Sequence, residues 1–255
     1  MEHIFESHAH YDDPRFEEDR EQVLSSLADH GVQYVVNVGA SVRGSEASVA
    51  LSERFDFVYA AVGVHPEDAD VFAETDVQTL CRLAAHKKVV AIGEIGLDYH
   101  YYDDSNKERQ IDVFRRQMQL AKDLALPVII HSRDACEDTL EVLREFRLPG
   151  VVHCFSGSAE TAKEIVSLGM YVGFTGVLTF KNARKAVESV AAVPMERILC
   201  ETDSPYMAPE PVRGTRCDSS LLPYILAKMA EVKGVTPQEM ADVTCENAKR
   251  LFRIL

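Results

Sequence analysis

The sequence predicts an α/β fold closed into a (β/α)8 TIM barrel, on three observations. Eight short apolar runs alternate with segments of helical periodicity, the pattern of parallel strands joined by crossover helices. Eight strands close such a barrel, and 255 residues match its usual size. The turn after the first run, His8-Ala9-His10-Tyr11-Asp12-Asp13-Pro14, has no glycine. An open doubly wound sheet, the competing arrangement, usually carries a Gly-rich turn there. No linker, low-complexity stretch or short repeat interrupts the alternation, so residues 1–255 read as one domain.

The elements follow in order. The first strand, Ile4 to His10, opens apolar and ends in two histidines. Phe16 to His30 reads as a helix, with Phe16, Val23, Leu24 and Leu27 at helical spacing and Gly31 closing it. Strand two is Gln33–Gly39, with a helix from about Ser41 to Phe55. Strand three is Phe57–Val64, ending at His65-Pro66, with a helix from about Asp76 to His86. Strand four is Lys88–Gly93, ending in Glu94, and the longest helix runs from about Asn106 to Leu124. Pro127–Ile130 ends at His131, before a helix from Ala135 to Phe146. Gly150–Val152 ends at His153, before a helix from Ala159 to Leu168. Met170–Phe174 is strand seven, before a helix from Ala183 to Ala192. Arg197–Glu201 ends at Asp203, and Ser219–Leu255 is helical with a break near Gly234–Pro237.

Composition narrows the function classes. The chain is 46% apolar and 27% charged, an ordinary globular balance. No apolar run approaches the ~20 residues of a membrane helix, and the start, Met1-Glu2-His3, lacks a basic-then-apolar signal pattern. The six scattered cysteines form no C-x-x-C pair and read as reduced thiols of a cytoplasmic protein. No obligate protein partner is evident. The net charge of −14 provides no global basic footprint for nucleic acid. Phosphate recognition therefore has to be local, at a few arginines, backbone amides or metal ions.

In a barrel enzyme the chemistry sits at the C-terminal strand ends. Here those ends hold His8 and His10, then Glu94, His131, His153 and Asp203. Side chains alternate along a strand, so His8 and His10 share a face and form a metal claw. Four histidines and two carboxylates exceed one ion's needs and suit two. Glu94, midway in strand order, is the expected bridge.

These stretches resemble the TatD family of metal-dependent hydrolases, related to the amidohydrolases. The matching motifs are Ser7-His8-Ala9-His10, Gly63-Val64-His65-Pro66, Gly93-Glu94-Ile95-Gly96-Leu97-Asp98-Tyr99, His131-Ser132-Arg133-Asp134-Ala135, His153-Cys154-Phe155-Ser156-Gly157 and Glu201-Thr202-Asp203-Ser204-Pro205-Tyr206. The resemblance implies a barrel, a two-metal centre (Mg2+, Mn2+ or Zn2+) and nuclease activity on DNA. It also implies that one ion takes His8, His10, Glu94 and Asp203, and the other Glu94, His131 and His153.

Asp203 is the expected general base, with Glu94 and His65 as the other catalytic residues. His65, Arg133, Ser156 and Arg213 are expected substrate contacts. Arg133 offers a bidentate grip on phosphate, and Ser156 precedes a helix N-terminus. Glu201, on Asp203's face, is expected to orient a ligand. His3, His30, His86 and His100 fit no strand end. The expected activity is 3′–5′ exonuclease action on single-stranded DNA. The alternative is hydrolysis of another ester or amide, such as a D-aminoacyl-tRNA. Two-metal amidohydrolases often bridge with a carbamylated lysine at strand four; here Glu94 stands there, which disfavours the amide reading.

Overall fold

Adjacent residues on one strand divide between two apolar clusters, and that division builds the fold. In β2 (Val32–Val38), Val35 packs in an outer cluster with the helices, while Val36 and Val38 pack in an inner one. The same alternation recurs in β1 (Ile4–Ala9), β3 (Val58–Val62), β4 (Val89–Asp98), β5 (Val128–Arg133), β6 (Gly150–Val152), β7 (Tyr171–Phe174) and β8 (Ile198–Cys200). The computed structural model describes residues 1–100 and 104–254, with the strands in one parallel sheet in chain order. An Ala9–Ser204 bridge closes the seam between β1 and the chain after β8. There His10 N donates to Ser204 O (2.8 Å) and Asp203 N donates to His8 O (3.0 Å). The (β/α)8 barrel expected from the sequence is the fold observed.

The helices are α1 (Arg20–Ser26), α2 (Val42–Arg54), α3 (Glu74–Ala84), α4 (Asp104–Leu124), α5 (Cys136–Phe146), α6 (Ala159–Ser167), α7 (Arg184–Ala192), α8 (Leu222–Lys233) and α9 (Pro237–Phe252). Phe5 of β1, Ala61, Ile129 and Leu199 share the inner cluster with Cys245, Ala248, Leu251 and Phe252 of α9. The last helix therefore plugs the end of the barrel opposite the functional residues. Among the described residues, no helix is long and apolar enough to cross a membrane.

Three expected boundaries are corrected. The expected helix from Phe16 to His30 is broken into a 3-10 turn at Pro14–Phe16, α1, and a 3-10 turn at Leu27–His30. Phe16, Leu24 and Leu27 are still buried, and the last turn tightens into Gly31 at φ +80°. Helix α3 starts at Glu74 rather than Asp76, because Asp76 reaches back to accept from Ala73 N (2.8 Å) and so sits inside the first turn. Strand β4 does not end at Glu94 but continues to Asp98, pairing Ile95–Asp98 with Ile130–Arg133. The tail breaks where expected, at Gly234 (φ +69°) and the Thr236 N-cap; Leu255 lies outside the described residues.

Candidate metal centre

Two register slips aim the functional side chains inward. In β1, Glu6 pairs with Val35 and Ala9 with Asn37, so one extra residue is accommodated between them. Phe5 is inner and Ala9 outer, and the slip lets His8 and His10 share the inner face with Phe5 despite opposite parity. In β4 the slip falls between Ile92 and Ile95. Ile92, Ile95 and Leu97 pack outward, which leaves Glu94, Gly96 and Asp98 facing in. A side chain on Gly96 would meet His131 O at 2.0 Å, so glycine permits the close β4–β5 approach.

The six expected residues converge. The Nε2 atoms of His8 and His10 lie 3.0 Å apart, and Asp203 Oδ1 is 3.7 Å from the first and 3.5 Å from the second. Glu94 stands between two donor sets. Its Oε2 lies 3.5 Å from both His8 Nε2 and His10 Nε2. Its Oε1 lies 2.9 Å from His131 Nδ1 and 2.7 Å from His153 Nε2. Three groups each hold their ligand atoms within 4.8 Å: His8–Glu94–His153, His8–His10–Asp203 and His65–Asp98–His131. Imidazole nitrogens with carboxylate oxygens are the donors that zinc, manganese and iron accept, so these residues fit divalent cations.

Groups behind His10 and His131 set their tautomers. His10 Nδ1 donates to Val38 O (2.7 Å), which turns an Nε2 lone pair to the centre. His131 Nε2 faces Asp98 Oδ2 at 3.0 Å and leaves Nδ1 for the centre. His153 Nδ1 has no hydrogen bond among the described residues but lies 3.7 Å from Glu201 Oε1. Glu201 also accepts from Ser7 Oγ (3.0 Å) and Cys154 N (2.5 Å). Gly173 makes room for it, because a Cβ there would be 2.4 Å from Glu201 Oε2.

Burial and charge oppose one another throughout. Burial disfavours the charged form of Glu94, yet His153, His65 and the bond from His131 hold its carboxyl well below the usual range. Asp203 is lowered too, by His10, His153 and His8 against burial. Burial would lower His10, but the bond to Asp203 and the charges of Glu94 and Asp203 push it up to about 10. His131 is likewise raised to about 9 by Asp98 and Glu94. His8 is pushed down to about 4 by burial and then by His153. Burial also pushes His65 down to about 3. Its Nδ1 accepts from Glu67 N (3.2 Å), which places the proton on Nε2, 3.6 Å from Glu94 Oε1.

An open cavity of about 860 Å³ surrounds these groups, and His65, Arg133 and Ser156 are among the residues that line it. Arg213 is not among its lining residues; its guanidinium lies over the Phe180 ring, 4.0 Å from the centroid. Three contributors were missed from the sequence. Asp98 shares Glu94's face four residues on, a signal hidden by ending the strand at Glu94. Arg43, exposed on the first turn of α2, lines the cavity with no hydrogen bond or ion pair among the described residues. Glu6, fully buried in the β1–β8 seam, accepts from His8 N (3.1 Å), Thr202 N (2.9 Å), Thr202 Oγ1 (2.6 Å) and Ser219 Oγ (2.9 Å). It thereby ties His8 to the segment that carries Asp203. Burial pushes its carboxyl up to about 8, against those four bonds.

Histidines and carboxylates converging at the C-terminal mouth of a (β/α)8 barrel define a metal-dependent hydrolase. The chain belongs to the TatD family: the model of TatD related DNases matches residues 5–253. It is 44% identical over 254 residues to YabD, an uncharacterized metal-dependent hydrolase of Bacillus subtilis, covering 98% of this chain and 99% of that one. It is 35% identical over 248 residues to the 3′-5′ ssDNA/RNA exonuclease TatD of Cronobacter sakazakii, covering 93% of each. The crystal structure of YjjV, a TatD homologue from Escherichia coli K12, superposes with a TM-score of 0.93 at 31% identity, covering 99% of both chains.

Proposed function

We propose that this metal-dependent hydrolase holds two divalent cations per chain and removes nucleotides from the 3′ end of single-stranded DNA. One observation carries the two-ion reading. The two oxygens of Glu94 face different donor sets, Oε2 toward His8 and His10, Oε1 toward His131 and His153. His8, His10, Glu94 and Asp203 would hold one cation, and Glu94, His131 and His153 the other, with Asp98 fixing His131. Such cations supply charge that acidifies water and offsets the negative charge of a phosphoryl group.

The chain's own groups do the rest. Asp203, ionised and at the cavity wall, accepts the proton of the attacking water. His65 presents its Nε2–H beside Glu94, placed to donate to a phosphoryl or leaving oxygen. Arg43 and Arg133, which line the cavity together with Ser156, hold flanking phosphates. The acidic surface has no track for a long duplex, whereas a strand end enters a cavity of this size. The name of the Cronobacter sakazakii relative supports the substrate class.

The test is a 5′-labelled single strand incubated with Mg2+ or Mn2+. A ladder shortening by single nucleotides, slowed by a blocked 3′ end, is expected. Immediate internal fragments would show endonuclease action. No cleavage of DNA beside clear ester hydrolysis would assign the chain to the deacylase alternative.

A further inference from the structure

Among the described residues, the exposed large apolar side chains are Met1, Val71, Tyr206, Met207 and Tyr224. Single exposed apolar residues need no explanation. Tyr206 and Met207, however, are consecutive, 46% and 40% exposed, and both line the cavity around the metal centre.

The backbone that carries them is closely held. Tyr206 N donates to Asp203 O (2.9 Å), so the ring stands one turn from Asp203, under about 7 Å between Cα atoms. Met207 adopts left-handed φ, +56°, which a long side chain keeps only where the surroundings impose it. Met207 O packs on Gly176, where a Cβ would lie 1.9 Å from it. The ring is held as well. The Arg15 guanidinium lies over it, 4.1 Å from the centroid. Arg15 is itself gripped by Asp13 through Nε–Oδ1 (3.0 Å) and Nη2–Oδ2 (2.9 Å). A side chain oriented in advance binds without the ordering cost of a mobile one.

We propose that Tyr206, flanked by Met207, is a stacking platform for a base of the single strand, on the nucleotide whose phosphate reaches Asp203. The inference rests on the nuclease reading above. With Arg15 over one face, the other face is left for a π partner. Every base has such a face, so the subsite tolerates any sequence.

The chain contains no tryptophan, so Tyr206→Trp introduces the sole indole. A single-stranded hexanucleotide with a slowly cleaved 3′ phosphorothioate linkage should quench its emission. The same strand with tetrahydrofuran in place of its two 3′-terminal nucleosides' bases should not. In hydrolysis, the parent should prefer the base-bearing strand by about 5- to 150-fold in kcat/KM. Tyr206→Phe should keep that ratio, and Tyr206→Ala should bring it close to one. Equal quenching by both strands, or a preference that survives Tyr206→Ala in a protein that cleaves DNA, overturns this inference alone. A parent that cleaves no DNA strand refutes the nuclease reading and this inference with it.

Discussion

The two sides of Glu94 are built from the same residue types but supported differently. On the β5–β6 side, carboxylates stand behind the rings: Asp98 within hydrogen-bond distance of His131 (3.0 Å), and Glu201 at 3.7 Å from His153 without a hydrogen bond. On the β1–β8 side, His10 leans on the backbone carbonyl of Val38 at 2.7 Å, and the carboxylate Asp203 faces the centre instead. Either partner behind an imidazole fixes its tautomer and raises its basicity as a ligand, and a carboxylate adds a full negative charge. A cation on the β5–β6 side would therefore meet more negative charge behind its imidazoles. On the β1–β8 side the carboxylate faces the centre directly, where the proposed function uses it as both cation ligand and base.

Removing the group shared by both sides should have the largest effect. Glu94→Ala should reduce activity to background and lose more metal per chain than His153→Ala, which touches one side. Elemental analysis of matched preparations measures this, and parental metal content in Glu94→Ala would remove it from the centre. Asp203→Asn tests the β1–β8 side, weakening one proposed cation ligand together with the proposed base. Turnover should fall by about 100-fold or more, while thermal stability in excess metal stays near the parent's. A loss within about threefold would assign the base elsewhere.

The carboxylate-backed side is tested by Asp98→Asn, which keeps the shape but weakens the hold on His131. Metal affinity or activity should fall by about 10- to 100-fold, read by metal titration. No change would mean that Asp98 does not support the centre. The seam calls for a different readout. Glu6→Ala leaves the buried His8 and Thr202 backbone N–H groups without their acceptor, so unfolding should become easier by about 1–3 kcal/mol for each, measured by denaturant melts. An unchanged midpoint would show that water replaces the carboxylate. The smallest effect belongs to the rim. Arg43→Gln should raise KM for single strands, leave kcat nearly unchanged and lower the salt slope by about one. An unchanged slope would exclude a phosphate contact.

The barrel and the six converging side chains were legible in the sequence because both depend on local pattern. Apolar runs alternating with helical periods specify parallel strands under helices, and strand-end residues of such a sheet meet at one mouth wherever the strands start. Asp98 was missed because strand length depends on pairing: Ile95–Asp98 read as strand only beside Ile130–Arg133. Glu6 was missed because its partners, Thr202 and Ser219, lie about 200 residues away in the chain. Arg213 shows the converse, a loop arginine whose position near a motif suggested the site but whose tertiary contact is Phe180.

What the sequence by itself determined was the set of donors and their common mouth, because strand periodicity and chain order are written locally. Only the tertiary structure decided which oxygen of Glu94 faces which histidines, what stands behind each ring, and that Tyr206 is held beside Asp203. Those features come from register slips, left-handed backbone and contacts across the barrel seam, where the partners are distant in sequence and are brought together by folding.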